Sequence, residues 1–290
     1  MYDRNASSRM PVVFVGHGSP MNAIEESPFR SVWERLGTLL PQPRAIVCVS
    51  AHWETRGTYL TATEAPETIH DFYGFPKALT DIRYPAPGAP KLARSIAERV
   101  QRPRIRLDPG RGLDHGAWSV LRSMYPRADV PVLQLSLDLG QPPSFHYELG
   151  RQLAFLRDEG VLVVGSGNIV HNLRLFRWHD PSPMVWGIRF DAGIKRHILG
   201  GDHAAIANYL AFGSDAAISV NTTEHYLPLL YVLAMQGPNE RAVVFNEEVV
   251  SAISMTSYAL GLEPHAAEVL EHHSAGLAAD PLLYSERPPA

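Results

Sequence analysis

The amino-acid sequence predicts a single α/β domain in which a largely parallel central sheet is flanked by helices. Three observations carry this reading. Residues 12–15 (Val-Val-Phe-Val) and 45–49 (Ala-Ile-Val-Cys-Val) are short, β-branched, nearly continuous apolar runs, the pattern of strands covered on both faces. Between them, residues 29–40 carry Val32, Trp33, Leu36, Leu39 and Leu40 at helical spacing. The same alternation recurs downstream, which implies parallel strands joined by helical crossovers.

Taken in order, residues 90–100 read as a helix, 130–137 as a strand, 145–156 as a helix and 161–164 as a strand. Helices are expected at 185–199 and 203–210, a strand at 216–220, a helix at 227–235 and a strand at 242–245. Pro228 suits the first turn of a helix, where its missing N–H costs nothing, so His225 should stand just before one. Residues 63–90 have little periodicity and end in the turn-rich Tyr84-Pro85-Ala86-Pro87-Gly88-Ala89-Pro90. Compact folds rarely carry such a loop without use, so it is expected to cover a site. One domain over residues 1–262 is followed by a peripheral C-terminal extension, 263–290, containing His265, His272, His273 and the turn-prone residues 286–290.

Composition narrows the function classes. With 45% hydrophobic and only 19% charged residues, the 290-residue chain can bury a real core and is not disordered. A net charge of -4 gives no electrostatic reason to expect nucleic acid. No stretch approaches the ~20 apolar residues of a membrane helix, and residues 1–10 lack the apolar centre of a signal peptide. The single cysteine, Cys48, sits in an apolar run, where it reads as a small buried hydrophobe and not as a thiolate nucleophile. A cytoplasmic protein is expected; the sequence carries no signal for an oligomeric state.

Five histidines, His17, His52, His115, His171 and His225, lie where apolar runs give way to turns. In open α/β folds ligands collect outside the carboxyl ends of the strands, so side chains placed there can converge. Gly16-His17-Gly18-Ser19-Pro20 follows the first strand; as a phosphate loop it fails, because position 21 is Met where a third glycine is needed. Ser50-Ala51-His52-Trp53-Glu54 repeats the arrangement, with Glu54 as a further ligand or an outer partner. Adjacent strands lie about 4.8 Å apart, so two such side chains can share one ion. His171 follows the 161–164 strand and His225 the expected 216–220 strand. His115, between Asp114 and a helix start, suits proton transfer because imidazole titrates near neutrality. Each histidine alone reads equally as a satisfied buried ring or a cap; the shared position at element ends points to a metal site. His146, His179, His197 and His203 read as structural. Ser166 lies between glycines, but the surrounding pattern is not a nucleophile elbow. His70-Asp71-Phe72-Tyr73-Gly74-Phe75-Pro76 reads as a local hydrophobic anchor or a substrate-facing lid.

These segments resemble the class III extradiol ring-cleavage dioxygenases, in particular the 4,5-DOPA dioxygenase family. The resemblance rests on Gly16-His17-Gly18-Ser19-Pro20, Ser50-Ala51-His52-Trp53, the 70–76 segment, Tyr84-Pro85-Ala86-Pro87-Gly88, Leu113-Asp114-His115-Gly116-Ala117-Trp118, Gly165-Ser166-Gly167 with His171-Asn172-Leu173-Arg174, and Glu224-His225-Tyr226-Leu227-Pro228-Leu229, in family order across about residues 11–261. It implies a non-haem metal at the sheet's edge, with His17, His52 and His225 as ligands. His171 either completes a four-histidine zinc site or serves as the catalytic base, and His115 becomes an acid or base near the metal. His70, Asp71, Phe72 and Tyr73 would face the substrate, a small catechol cleaved with O2. Fe(II) would support activity, and Zn(II) could occupy the same nitrogens without passing electrons to O2. A zinc hydrolase using the same histidines, or a non-catalytic metal-binding protein of the same fold, are the alternative readings. The tail beyond Gly261 departs from the family's usual end.

Overall fold

A computed structural model describes residues 9–278 of the chain. The first half runs β1 (Val12–Gly16), α1 (Pro28–Leu39), β2 (Ala45–Thr55), β3 (Thr58–Thr61), α2 (Lys77–Thr80), α3 (Pro90–Arg99), β4 (Ile105–Asp108), α4 (His115–Met124) and β5 (Val132–Asp138). It continues through α5 (Pro143–Leu153), α6 (Phe155–Asp158), β6 (Val161–Gly167), α7 (Val185–Leu199), α8 (His203–Ala207), α9 (Ser214–Ser219) and α10 (Leu227–Leu233). The last elements are β7 (Ala242–Phe245), β8 (Val249–Val250), β9 (Ile253–Ser254), β10 (Ser257–Leu260) and α11 (Pro264–Ala278).

Eight strands form one sheet in the order β4-β3-β5-β2-β6-β1-β10-β7. Its middle, β5-β2-β6-β1, is wholly parallel, as expected. Antiparallel pairings appear only toward the edges, at β3 with β5 and at β10 with both β1 and β7. Residues along each central strand alternate between two cores. Val12, Phe14, Val47 and Val163 pack with Leu229 and Tyr231 of α10 on one face; Val13, Val15, Ile46 and Val164 pack with Trp33 of α1 and Trp118 of α4 on the other. Burial on both faces is why these strands read as unbroken apolar runs. Helix starts follow local chemistry. Ser27 Oγ accepts from Arg30 N ahead of Pro28, and Asp114 accepts from Ala117 N at the start of α4.

Four expectations change. Residues 216–220, expected as a strand, lie in and just after helix α9, with Ala216 and Ser219 buried. A short apolar run fits either element, and packing against α7 decides it. The 203–210 helix is α8 followed by a 3-10 turn at Tyr209–Phe212, and the 145–156 helix breaks at Ala154 into α5 and α6. The short strands β3, β4 and β10 were not legible as separate runs. Within 263–290, helix α11 packs on α1 and β7 and buries Ala267 and Leu270 in the same core as Val13; the turn-prone 286–290 lies outside the described residues. No helix among the described residues is long and apolar enough to cross a membrane.

Candidate metal centre

The five histidines converge, although only two of them sit on or directly after strands. His17 is the residue after β1, and its backbone N–H bonds Gly167 O at the end of β6. His52 lies on β2 where pairing with β5 slips register between Val49 and Glu54, an irregularity that frees the strand end to re-aim its side chain. His171 stands in the loop after β6, held by its N–H to Ser219 O. His225 precedes α10, as Pro228 implies, but follows a helix and not a strand; its carbonyl accepts from Asn168 N. His115 opens α4.

The rings of His17, His52 and His225 form a nearly equilateral triangle, with centroids 5.1, 5.3 and 5.0 Å apart. Imidazole nitrogens about 2.1 Å from one ion, at angles between octahedral and tetrahedral, bring ring centroids to about 4.6–5.3 Å and nitrogens to about 3.0–3.4 Å from one another. His17 Nε2 and His52 Nε2 are 3.1 Å apart, inside that range. The three rings are therefore spaced as rings sharing one metal ion would be, with one nitrogen pair at ligand separation.

Neighbouring groups fix which nitrogen each ring offers. Ser166 Oγ donates to Gly116 O at 2.6 Å, so toward His17 Nδ1, 3.0 Å away, it accepts; Nδ1 carries the hydrogen and Nε2 is free. Glu224 Oε1 lies 3.1 Å from His225 Nδ1 and does the same there, itself held by Thr222 Oγ1. Such carboxylate or hydroxyl partners orient metal-binding imidazoles and raise their basicity. Burial, then the neighbouring histidines, pushes His17 and His225 well below the ordinary imidazole range. Burial brings His52 to about 4, with His115 adding to the effect, and brings His171 to about 4. All four are neutral at pH 7, the form that binds metal.

His171 and His115 have other geometries. The His171 ring lies flat on His225, centroids 3.4 Å apart and planes 10° from parallel. Coordination uses an in-plane lone pair, and stacked parallel rings cannot aim two such pairs at one ion. For the same reason His171, Glu224 and His225, whose donor atoms lie within 4.8 Å of one another, do not form a second metal site. His115 has donor atoms within 4.8 Å of His17 and His52, but its centroid, 3.9 Å from His52 and 5.9 Å from His17, is less evenly spaced from them than that of His225. Its Nδ1 is 2.9 Å from Asp71 Oδ1.

The 70–73 segment divides. His70 packs on Trp118 and its Nε2 meets Ile82 O at 3.1 Å, an anchoring role. Phe72 stands edge-on to His115, 5.6 Å away, and against Phe75 and Trp118. Asp71 is engaged by His115, and Tyr73 is 95% exposed. Glu54 is exposed and belongs to neither donor cluster. Ser166 and Glu224 orient the rings of His17 and His225, and the sequence signal for them is Gly165-Ser166-Gly167 and the adjacent Glu224-His225 pair.

Residues 11–259 match the family described as catalytic LigB subunit of aromatic ring-opening dioxygenase. The chain is 47% identical over 262 residues to the 4,5-DOPA dioxygenase extradiol of Escherichia coli (strain K12), covering 88% of this chain and 96% of that protein. It is 36% identical over 236 residues to the 4,5-DOPA dioxygenase extradiol of Beta vulgaris, covering 79% and 88%. The crystal structure of an uncharacterized protein from Escherichia coli K12 superposes with a TM-score of 0.76 at 42% identity, over 87% of this chain and 99% of that one.

Proposed function

This chain belongs to the family of the catalytic LigB subunit of aromatic ring-opening dioxygenase and is a metal-dependent extradiol ring-cleavage enzyme, and on that premise we propose that it uses Fe(II), held by His17, His52 and His225, to open a small catechol of DOPA type with O2. The observation that carries the ligand set is the ring triangle with its 3.1 Å approach of two Nε2 atoms. The substrate class follows the names of the relatives.

A redox-active ion held there supplies a single centre at which catechol and O2 can react. The rest is work for the chain's own residues. Three neutral imidazoles add no negative charge, so the site keeps its full attraction for a catecholate. His171, stacked on His225 and without a hydrogen bond to either ring nitrogen among the described residues, is the base that takes a phenolic proton. His115, with Nδ1 turned to Asp71, keeps Nε2 to hold or return a proton. Phe72 lines the approach with an apolar edge that excludes water and Tyr73 stands exposed at its rim, while Asp71 and His70 hold the segment from behind. Zn(II) binds the same nitrogens and gives an inactive form. The catalytic domain is assigned to residues 1–262, with helix α11 of the 263–290 segment packed into its core. A buried free Cys48 suits a reducing cytoplasm, with neither nucleic acid nor membrane as partner.

Anaerobic loading with Fe2+, followed by addition of O2 and a catechol panel, tests the reading. Oxygen uptake with a yellow ring-opened product is expected. One iron per chain with no uptake for any catechol would sink it, and H171A retaining full turnover would remove the base assignment.

A further inference from the structure

Resting on the dioxygenase reading above, we propose that Asp71 is a positioning residue for His115 and not a substrate ligand. One oxygen of its carboxylate, Oδ1, accepts two hydrogen bonds from the same residue, from His115 N at 3.0 Å and from His115 Nδ1 at 2.9 Å. A carboxylate offers only acceptors at neutral pH, so the ring nitrogen facing it carries the hydrogen and Nε2 is left as the acceptor. The backbone bond satisfies one of the orphan N–H groups at the start of α4, where negative charge is favoured. The other oxygen faces His52 Nδ1 at 3.8 Å, beyond hydrogen-bond reach but close enough to favour an N–H there. One side chain thus addresses both the proton-handling histidine and a proposed metal ligand.

The segment that delivers Asp71 is not a swinging lid. Leu113 N bonds Glu67 O and Ile69 N bonds Leu113 O, both at 2.7 Å, while Trp118 Nε1 bonds Ile69 O at 2.8 Å. Residues 67–71 are therefore zipped onto the 113–118 segment. Phe72 stands edge-on to the His115 ring, 5.6 Å away. Freeing Asp71 to meet a substrate would leave two donors of His115 unpaired.

The test compares D71A, D71N, H115A and D71A/H115A. Carboxylates that orient metal-binding histidines are worth about 10–100-fold, and the same scale applies to one that orients a proton-handling histidine. D71A should lower kcat by about that factor, with KM within about twofold and metal per chain unchanged; D71N, which keeps an acceptor of the same shape, should fall between D71A and the parent and carries the test where D71A fails to fold. Because Asp71 acts through His115, the double variant should be no slower than H115A. In the zinc-loaded protein, nitrogen-15 NMR should report the Nδ1–H tautomer of His115, lost in D71A. Effects that multiply in the double variant, a KM rise at unchanged kcat, or an Nε2–H tautomer in the parent would each overturn the proposal. Absence of oxygen uptake by the iron-loaded parent would instead refute the dioxygenase reading, while the zinc-protein tautomer would still decide the role of Asp71.

Discussion

Replacing Gly116 by alanine is the sharpest probe of how tightly the metal site is built. Gly116 is the second residue of α4, buried between His52 and Ser50. A Cβ there would lie 2.8 Å from His52 Cδ2, where ordinary contact begins at 3.4 Å, and closer still to Ser50 Oγ. The His52 ring must therefore retreat by about 0.6 Å or more, against a metal bond of about 2.1 Å that tolerates little error. Ser50 Oγ must also move, although it donates to the fully buried Asp114 at 2.7 Å. Overpacking of this kind costs about 1–3 kcal/mol, whereas the helix-propensity gain of alanine over glycine is at most about 1 kcal/mol. The steric term wins. A net loss of about 1–2 kcal/mol, against an unfolding entropy of about 0.6 kcal/mol/K for 290 residues, lowers the Tm of the metal-free protein by about 2–3 °C. Displacement of a ligand by this distance should weaken metal retention and reduce turnover by up to about 100-fold. Calorimetry of the metal-free form, elemental analysis after anaerobic iron loading and an oxygen electrode read the three effects. A G116A protein with the parent's melting temperature, iron content and turnover would refute the packing argument and the placement of His52 with it.

Three further outcomes follow from individual contacts. S166A removes the acceptor for His17 Nδ1 and should weaken metal affinity by about 10–100-fold, read by competition with a chelator; unchanged affinity would show that Ser166 does not set the His17 orientation. E224Q keeps an acceptor for His225 Nδ1 but drops its charge, so its affinity loss should be the smaller of the two in the same assay; a larger loss would mean charge outweighs orientation. Asp191 of α7 is buried, and burial raises its carboxyl to about 6 even though Ser254 and Thr256 donate to it. The folded protein thus holds this proton more tightly than the unfolded chain, a contribution fully present below about pH 4 and lost as pH rises through about 6. Relative to D191N, the parent should gain roughly 2 kcal/mol as pH falls from 7 to 4, measured by urea unfolding; parallel stability curves for the two proteins would contradict it.

Much of this protein is written locally in its sequence. The β-branched runs at 12–15, 45–49 and 161–164 are strands because any segment buried on both faces must be apolar throughout, and Pro228 marks a helix start because a first-turn residue needs no N–H. His17 and His52 announced themselves by standing at the ends of such strands. Their convergence was not local: it depends on β2, β6 and β1 lying side by side and on the register slip after Val49, both set by long-range pairing. Whether residues 216–220 became strand or helix was likewise decided by what α7 packed against them. Only the assembled fold laid His171 flat on His225, turned Asp71 onto His115 and left Tyr73 in solvent, because a ring's orientation depends on neighbours distant along the chain. Sequence period encodes which face a side chain occupies; which nitrogen it offers, and to what, is a property of contacts that exist only after folding.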